Sequence, residues 1–276
     1  MALAFVPSDA ALLALQAAVV AAPRAVQRIP FLDRLRGPGW AVVPIASIVG
    51  VIFAIRYVSD TATGLTYLAL IAIPPLAAVA LGWAIRGSTP IAALGAVPLF
   101  LIAWLARGSL AGEAAGAVLS ALSCVTLGVL LAAVTPPGWL KVGILLMAAA
   151  DVWLVASDLL QNPNATLIAA HPSGGLPQLQ SVVFGSVTVG YGDLFVAGLL
   201  GAVLAHRRRL QLAAALLTFA FAAVYDLLFL VVNEIPATVP VALALLAVEG
   251  WERRRARASA YRRPSRPAGA TPRRAT

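Results

Sequence analysis

The chain has one cysteine, Cys124, set in an apolar run, so it offers neither an intramolecular disulfide nor a cysteine-based metal cluster. Its two histidines, His171 and His206, are too few for a zinc protease site, and no His-Glu-x-x-His pattern occurs. No metal and no cofactor is expected. Charge is also scarce: 11% of the 276 residues are Asp, Glu, Lys or Arg, against roughly 25% in an ordinary soluble domain. No basic residue precedes the first apolar stretch, the first being Arg24, which argues against a signal peptide. Hydrophobic residues make up 61% of the chain and the mean hydropathy is +0.91. A water-soluble fold of this composition would lack the polar surface to cover itself, so the bilayer is the natural solvent.

What the chain does have is a series of long apolar runs. A spanning helix needs roughly 20 apolar residues. The candidate spans are 8–22, 39–57, 62–86, 89–106, 111–134, 138–160, 178–205, 209–233 and 235–250. The expected fold is an all-α membrane protein of about nine transmembrane helices, with Pro74-Pro75 kinking the third. Residues 1–134 form a five-helix scaffold in this reading, 135–250 carry the chemistry, and 251–276 form a disordered basic tail.

The net charge of +9 is unevenly placed, with nine of the twenty basic residues between Arg253 and Arg274. If the N-terminus is outside, the inside segments hold Arg24, Arg28, Arg34, Arg36, Arg86, Lys141, Arg207 to Arg209 and the tail; the outside segments hold only Arg56 and Arg107. That asymmetry predicts an N-terminus outside and a C-terminus in the cytoplasm. The tail arginines fix topology and face anionic lipid headgroups, each worth about 1 kcal/mol near the surface; no nucleic acid partner is expected. Trp40, Trp139 and Trp251 stand at span ends, as interfacial anchors do. The high Ala, Arg and Gly content points to a prokaryotic cell membrane.

Most of the eleven acidic residues fall in loops or near span ends. Glu113 and Glu234 read as interface residues and Asp158 as a solvated outer-end residue. Asp151 and Asp193 differ, since each sits near the middle of its candidate span. A carboxylate at mid-bilayer costs roughly 2.5 kcal/mol or more and usually marks a functional site. The two helices run antiparallel, so the acids share a depth and can face each other. Two carboxyls in contact do not both ionise readily, and the pair then holds one proton. The ionised member takes a proton from water while the neutral member polarises a peptide carbonyl. A third acid, Asp226, lies in Tyr225-Asp226-Leu227 nearer the outer face and reads as an interhelical carboxyl, with a catalytic role as the secondary possibility.

Asp193 closes the run Gly190-Tyr191-Gly192-Asp193, a GxGD motif whose glycines leave room for backbone and substrate. Here the chain resembles the GxGD intramembrane aspartyl proteases of the presenilin and signal peptide peptidase family. That family carries a Tyr-Asp aspartate, then GxGD on the next helix, then Pro-Ala-Leu on the last. Asp151-Val152-Trp153 matches the first, with Ala150 in place of the tyrosine; Gly190, Gly192 and Asp193 match the second; Gly198 matches a glycine often found there; Pro236-Ala237-Thr238 matches the third, with threonine for leucine. The resemblance covers roughly 138–250 by motif. It implies Asp151 and Asp193 as the catalytic pair, and Gly190, Tyr191, Gly192, Pro236 and Ala237 as motif or substrate-positioning residues. It also implies transmembrane segments of other proteins as substrates. The backbone around Pro236 is expected to be free to pair with an extended substrate strand.

Two other readings share the segment. Thr188-Val189-Gly190-Tyr191-Gly192-Asp193 reproduces a potassium selectivity filter. However, only twelve residues separate Asp193 from His206-Arg207-Arg208-Arg209, too few for an inner pore helix, and no arginine-rich voltage sensor is present. A prepilin peptidase is also a GxGD protease, but it usually has lysine where this chain has Phe195 and often carries a cytoplasmic cysteine pair.

Overall fold

The structure is a computed structural model and describes residues 7–25, 34–57, 60–157, 159, 161–230 and 236–261. Arg28, Asp158, Glu234 and the tail arginines from Arg262 onward lie outside the described residues.

Among the described residues the regular structure is helical except for one hairpin and an isolated bridge between Pro23 and Ile85. Its helices are α1 (Pro7–Ala21), α2 (Val43–Tyr57), α3 (Thr61–Val79), α4 (Ala96–Leu105), α5 (Leu110–Val134), α6 (Pro137–Ala156) and α7 (Gln161–Ala169). Strands β1 (Ser181–Phe184) and β2 (Val187–Gly190) follow, then α8 (Tyr191–Leu204), α9 (Arg208–Tyr225) and α10 (Val239–Tyr261). Five helical segments are long and apolar enough to cross a membrane: Pro38–Ile55, Thr61–Ala84, Leu110–Val134, Pro137–Ala156 and Arg208–Leu228. Pro7–Ala21, Pro90–Leu105 and Tyr191–Leu204 are shorter apolar helices. The reading of about nine spans therefore holds in its coarser form, an α-helical architecture with five full-length candidates among the described residues.

Three segments depart from expectation. Residues 178–205 are not one helix: the first half folds into the antiparallel hairpin, with Ser181 opposite Gly190 and Phe184 opposite Val187. The cause is local, since β-branched valines flank a Gly185-Ser186 turn in which Gly185 has φ of 61°. Asp193 accordingly stands in the first turn of α8 rather than at the middle of a long helix. The segment 89–106 opens as a 3₁₀ turn, Pro90–Gly95. The basic tail does not begin at residue 251, because α10 continues as helix to Tyr261. Helix α3 passes through Pro74 and Pro75 and ends in a π turn at Ala80–Ala84.

Helix α8 is the hub, packing against α1, α5, α6, α9 and α10. Glycine makes this possible. A Cβ on Gly198 would lie 2.6 Å from the Cys124 carbonyl oxygen of α5, and one on Gly128 would lie 2.6 Å from the Gly198 backbone. Gly201 meets the Val20 carbonyl of α1 in the same way. Small residues that let helix backbones touch are the main packing device where lipid removes the hydrophobic driving force between helices.

The basic residues gather at one end. Arg86 Nη2 donates to the Ala205 carbonyl at 2.5 Å, and Arg208 Nη1 donates to the Ala21 carbonyl at 2.6 Å. The Arg24 guanidinium lies 5.6 Å from the Trp83 ring centre. Lys141 pairs with Glu249 at 2.5 Å, and Arg207 pairs with Glu252. Arg107 is at the other end, donating to the Gly175 carbonyl.

Candidate active site

Asp151 lies on α6, about 15 Å along the helix from Lys141 at 1.5 Å per residue. Asp193 lies about 16 Å from the end of α8 by the same measure. Both are therefore well removed from the basic end. Helices α6 and α8 pack against each other, which brings Asp151 and Asp193 into the same neighbourhood of the fold. Both side chains are half-buried.

Each acid has its own hydrogen-bond donors. Asp193 Oδ2 accepts from the Gly190 N–H at 3.1 Å, so the carboxylate closes over the start of its own helix. A Cβ at Gly190 would sit 2.9 Å from that oxygen, which explains the first glycine of the motif. A Cβ at Gly192 would meet nothing within 4 Å, and Gly192 is exposed, so open space adjoins the residue before Asp193. The Tyr191 ring instead faces inward, its hydroxyl 2.7 Å from Ser123 Oγ, while its carbonyl accepts from Cys124 Sγ at 3.6 Å.

Asp151 Oδ2 accepts a 2.6 Å hydrogen bond from Thr238 Oγ1, which is buried at the start of α10. The Thr238 backbone N–H addresses the same carboxylate. The Pro236-Ala237-Thr238 segment thus lies beside Asp151. Its carbonyls are not free, contrary to expectation. Ala237 O accepts from Gln16 Nε2 at 3.1 Å, Pro236 O accepts from Val239 N–H, and Thr238 O accepts from Ala242 N–H.

Asp226 opens a 3₁₀ turn after α9 and is 7% exposed. Asp9 of α1, 8% exposed, is buried near it. Thr188 is exposed on β2, and the filter-like residues before Tyr191 are strand residues paired to β1. Glu113 is not a simple interface residue, because its Oε2 accepts from the Gly185 N–H at 2.7 Å and holds the hairpin turn.

Sequence reasoning missed Gln16. A lone glutamine within the α1 run was its signal, since an amide surrounded by apolar residues needs a partner. It also undervalued Thr238, read only as a departure from leucine, although a hydroxyl is what the leucine position lacks.

No group of three or more His, Cys, Asp or Glu side chains suited to a metal ion occurs among the described residues. Comparison with protein families, with curated proteins and with solved structures finds no match for this chain.

Proposed function

We propose that this chain is an intramembrane aspartyl protease of the GxGD type, hydrolysing peptide bonds in transmembrane segments of other proteins with Asp151, Asp193 and water. The observation that carries the reading is the convergence of three separated motifs: the α6 aspartate, the GxGD aspartate of α8 and the Pro-Ala-Thr segment of α10, whose threonine holds the first aspartate. The ionised aspartate removes a proton from water and the resulting hydroxide adds to the scissile carbonyl. The neutral aspartate donates its proton to the carbonyl oxygen, and collapse of the tetrahedral adduct expels the amine, which takes up a proton. The pair titrates as a unit, so the two roles belong to the dyad rather than to fixed residues. No cofactor enters this chemistry.

The hairpin supports the same reading. Laid end to end, four strand residues of about 13 Å and the roughly 21 Å of the fourteen-residue α8 would be long enough for a hydrocarbon core of about 30 Å. Non-helical backbone at that depth is tolerated only inside protein or beside a water-filled cavity, and water is the second substrate of a hydrolase. Strand β1 is backed by α5, while β2 alternates half-buried and exposed residues and runs straight into Asp193. An extended substrate adds to the open edge of β2 as a third strand, which presents its backbone to the dyad. This replaces the pairing at Pro236, whose neighbouring carbonyls are occupied.

In the proposed orientation the basic end faces the cytoplasm of a prokaryotic cell, with the N-terminus outside. The test is cleavage of a transmembrane peptide by the protein in liposomes. Asp151→Ala and Asp193→Ala each abolish it while leaving the fold intact; full activity in either variant rejects the assignment.

A further inference from the structure

At the basic end, α9 and α10 leave a surface cleft of about 420 Å³ lined by Arg207, Arg208, Arg209, Trp251, Glu252 and Arg255. Four guanidiniums face one carboxylate there, so the cleft carries an excess of three positive charges. The carboxylate belongs to Arg207, its ion-pair partner. Arg208 is held in place by the Ala21 carbonyl and by Gln211 Oε1 at 3.0 Å, and Gln211 itself is fully buried. Arg255 is fixed over the Trp251 ring at 4.2 Å from its centre. Arg209 makes no hydrogen bond or ion pair among the described residues and is left to meet a ligand.

The cleft does not end at the arginines. On the other side of Trp251 lies a second hollow of about 440 Å³, lined by Leu246, Ala247, Gly250 and Arg254. These residues recur every three or four positions along one face of α10 and lead from the basic end toward the apolar middle of the helix. Gly250 lines this hollow, and a Cβ there would meet nothing within 4 Å, so open space adjoins it. Leu246 is 52% exposed at its far end.

We propose that this composite site binds one anionic phospholipid, with the phosphate in the arginine cleft and an acyl chain along the groove past Gly250. Guanidinium forks match phosphate oxygens bidentately, and basic pockets at helix junctions near the membrane surface take anionic headgroups. Trp251, 44% exposed between the two hollows, sits where an aromatic ring marks the headgroup level. A free phosphate satisfies only the first hollow, whereas a phospholipid fills both. The site is thus a fixed feature of α9 and α10, independent of the residues beyond Tyr261.

The test is native mass spectrometry of the full chain in detergent, titrated with phosphatidylglycerol, phosphatidylcholine or soluble glycerol phosphate, with folding of each variant followed by thermal unfolding. Phosphatidylglycerol is retained as one tight equivalent, phosphatidylcholine is not, and glycerol phosphate does not displace it at equal concentration. Arg209→Ala with Arg255→Ala weakens retention about tenfold, the scale of one to two headgroup contacts. Gly250→Leu, which fills the groove and leaves every arginine in place, weakens it as well. Equal retention of both lipids, displacement by glycerol phosphate, or undiminished binding in either folded variant overturns the proposal.

Discussion

The hydroxyl of Thr238 donates to Asp151 Oδ2 at 2.6 Å, joining the start of α10 to α6. A hydrogen bond to an ionised group is worth about 1.5–3 kcal/mol, enough to fix the carboxylate in one rotamer. The residue that departs from the Pro-Ala-Leu pattern thus adds a polar contact to Asp151.

Thr238→Ser, which keeps the hydroxyl, is expected to retain most of the cleavage rate. Thr238→Val, which keeps the shape and removes the donor, is expected to lower it by about tenfold or more at 1.4 kcal/mol per decade. Initial rates on a transmembrane peptide in liposomes separate the two. Equal rates in both variants would show that the hydroxyl does not position Asp151.

Gln16→Leu removes the donor to the part-buried Ala237 carbonyl. Interhelical hydrogen bonds in membranes are worth about 0.6–1.7 kcal/mol, so thermal unfolding in detergent should show a modest loss of stability. Cleavage should fall further than that loss explains, because the Ala237 carbonyl is one residue from Thr238. A rate that follows stability alone would confine Gln16 to a packing role.

Gly198→Leu drives a side chain into the Cys124 carbonyl and separates α5 from α8. Overpacking costs roughly 1–3 kcal/mol, and backbone leaves less room to relax than a side chain does. A clear fall in Tm is expected for Gly198→Leu and none for Gly192→Ala, where a Cβ meets open space. On the proposed mechanism Gly192→Ala should instead slow cleavage, because its side chain would stand in the open space beside Asp193 that a substrate would need. An unchanged rate in Gly192→Ala would close that route.

Much of this arrangement is legible in the sequence. Apolar runs mark the helices, and Asp151 and Asp193 stand out because acids are rare in such runs. The single run 178–205 misled, because hydropathy counts valine alike in a strand and a helix. The distinguishing signal was the order Val182-Val183-Phe184-Gly185-Ser186-Val187-Thr188-Val189, β-branched residues around a two-residue glycine turn. Asp9 and Asp226 illustrate a harder case: 217 positions apart, both are buried in one region because α1 returns against α9. No spacing rule joins residues brought together by helix packing. The arginine tail was likewise read by composition, which sees repelling charges but not that Arg255 stacks on Trp251 one turn earlier.

The central claim is that Asp151 and Asp193 act as one unit, and a double-mutant comparison tests it most directly. Cleavage of a transmembrane peptide is measured for Asp151→Asn, Asp193→Asn and the double variant, each confirmed as folded. Residues that share one proton and one water fail together, so the expected result is that each single variant is as inactive as the double. Substantial cleavage in either single variant, or losses that simply multiply, would contradict it.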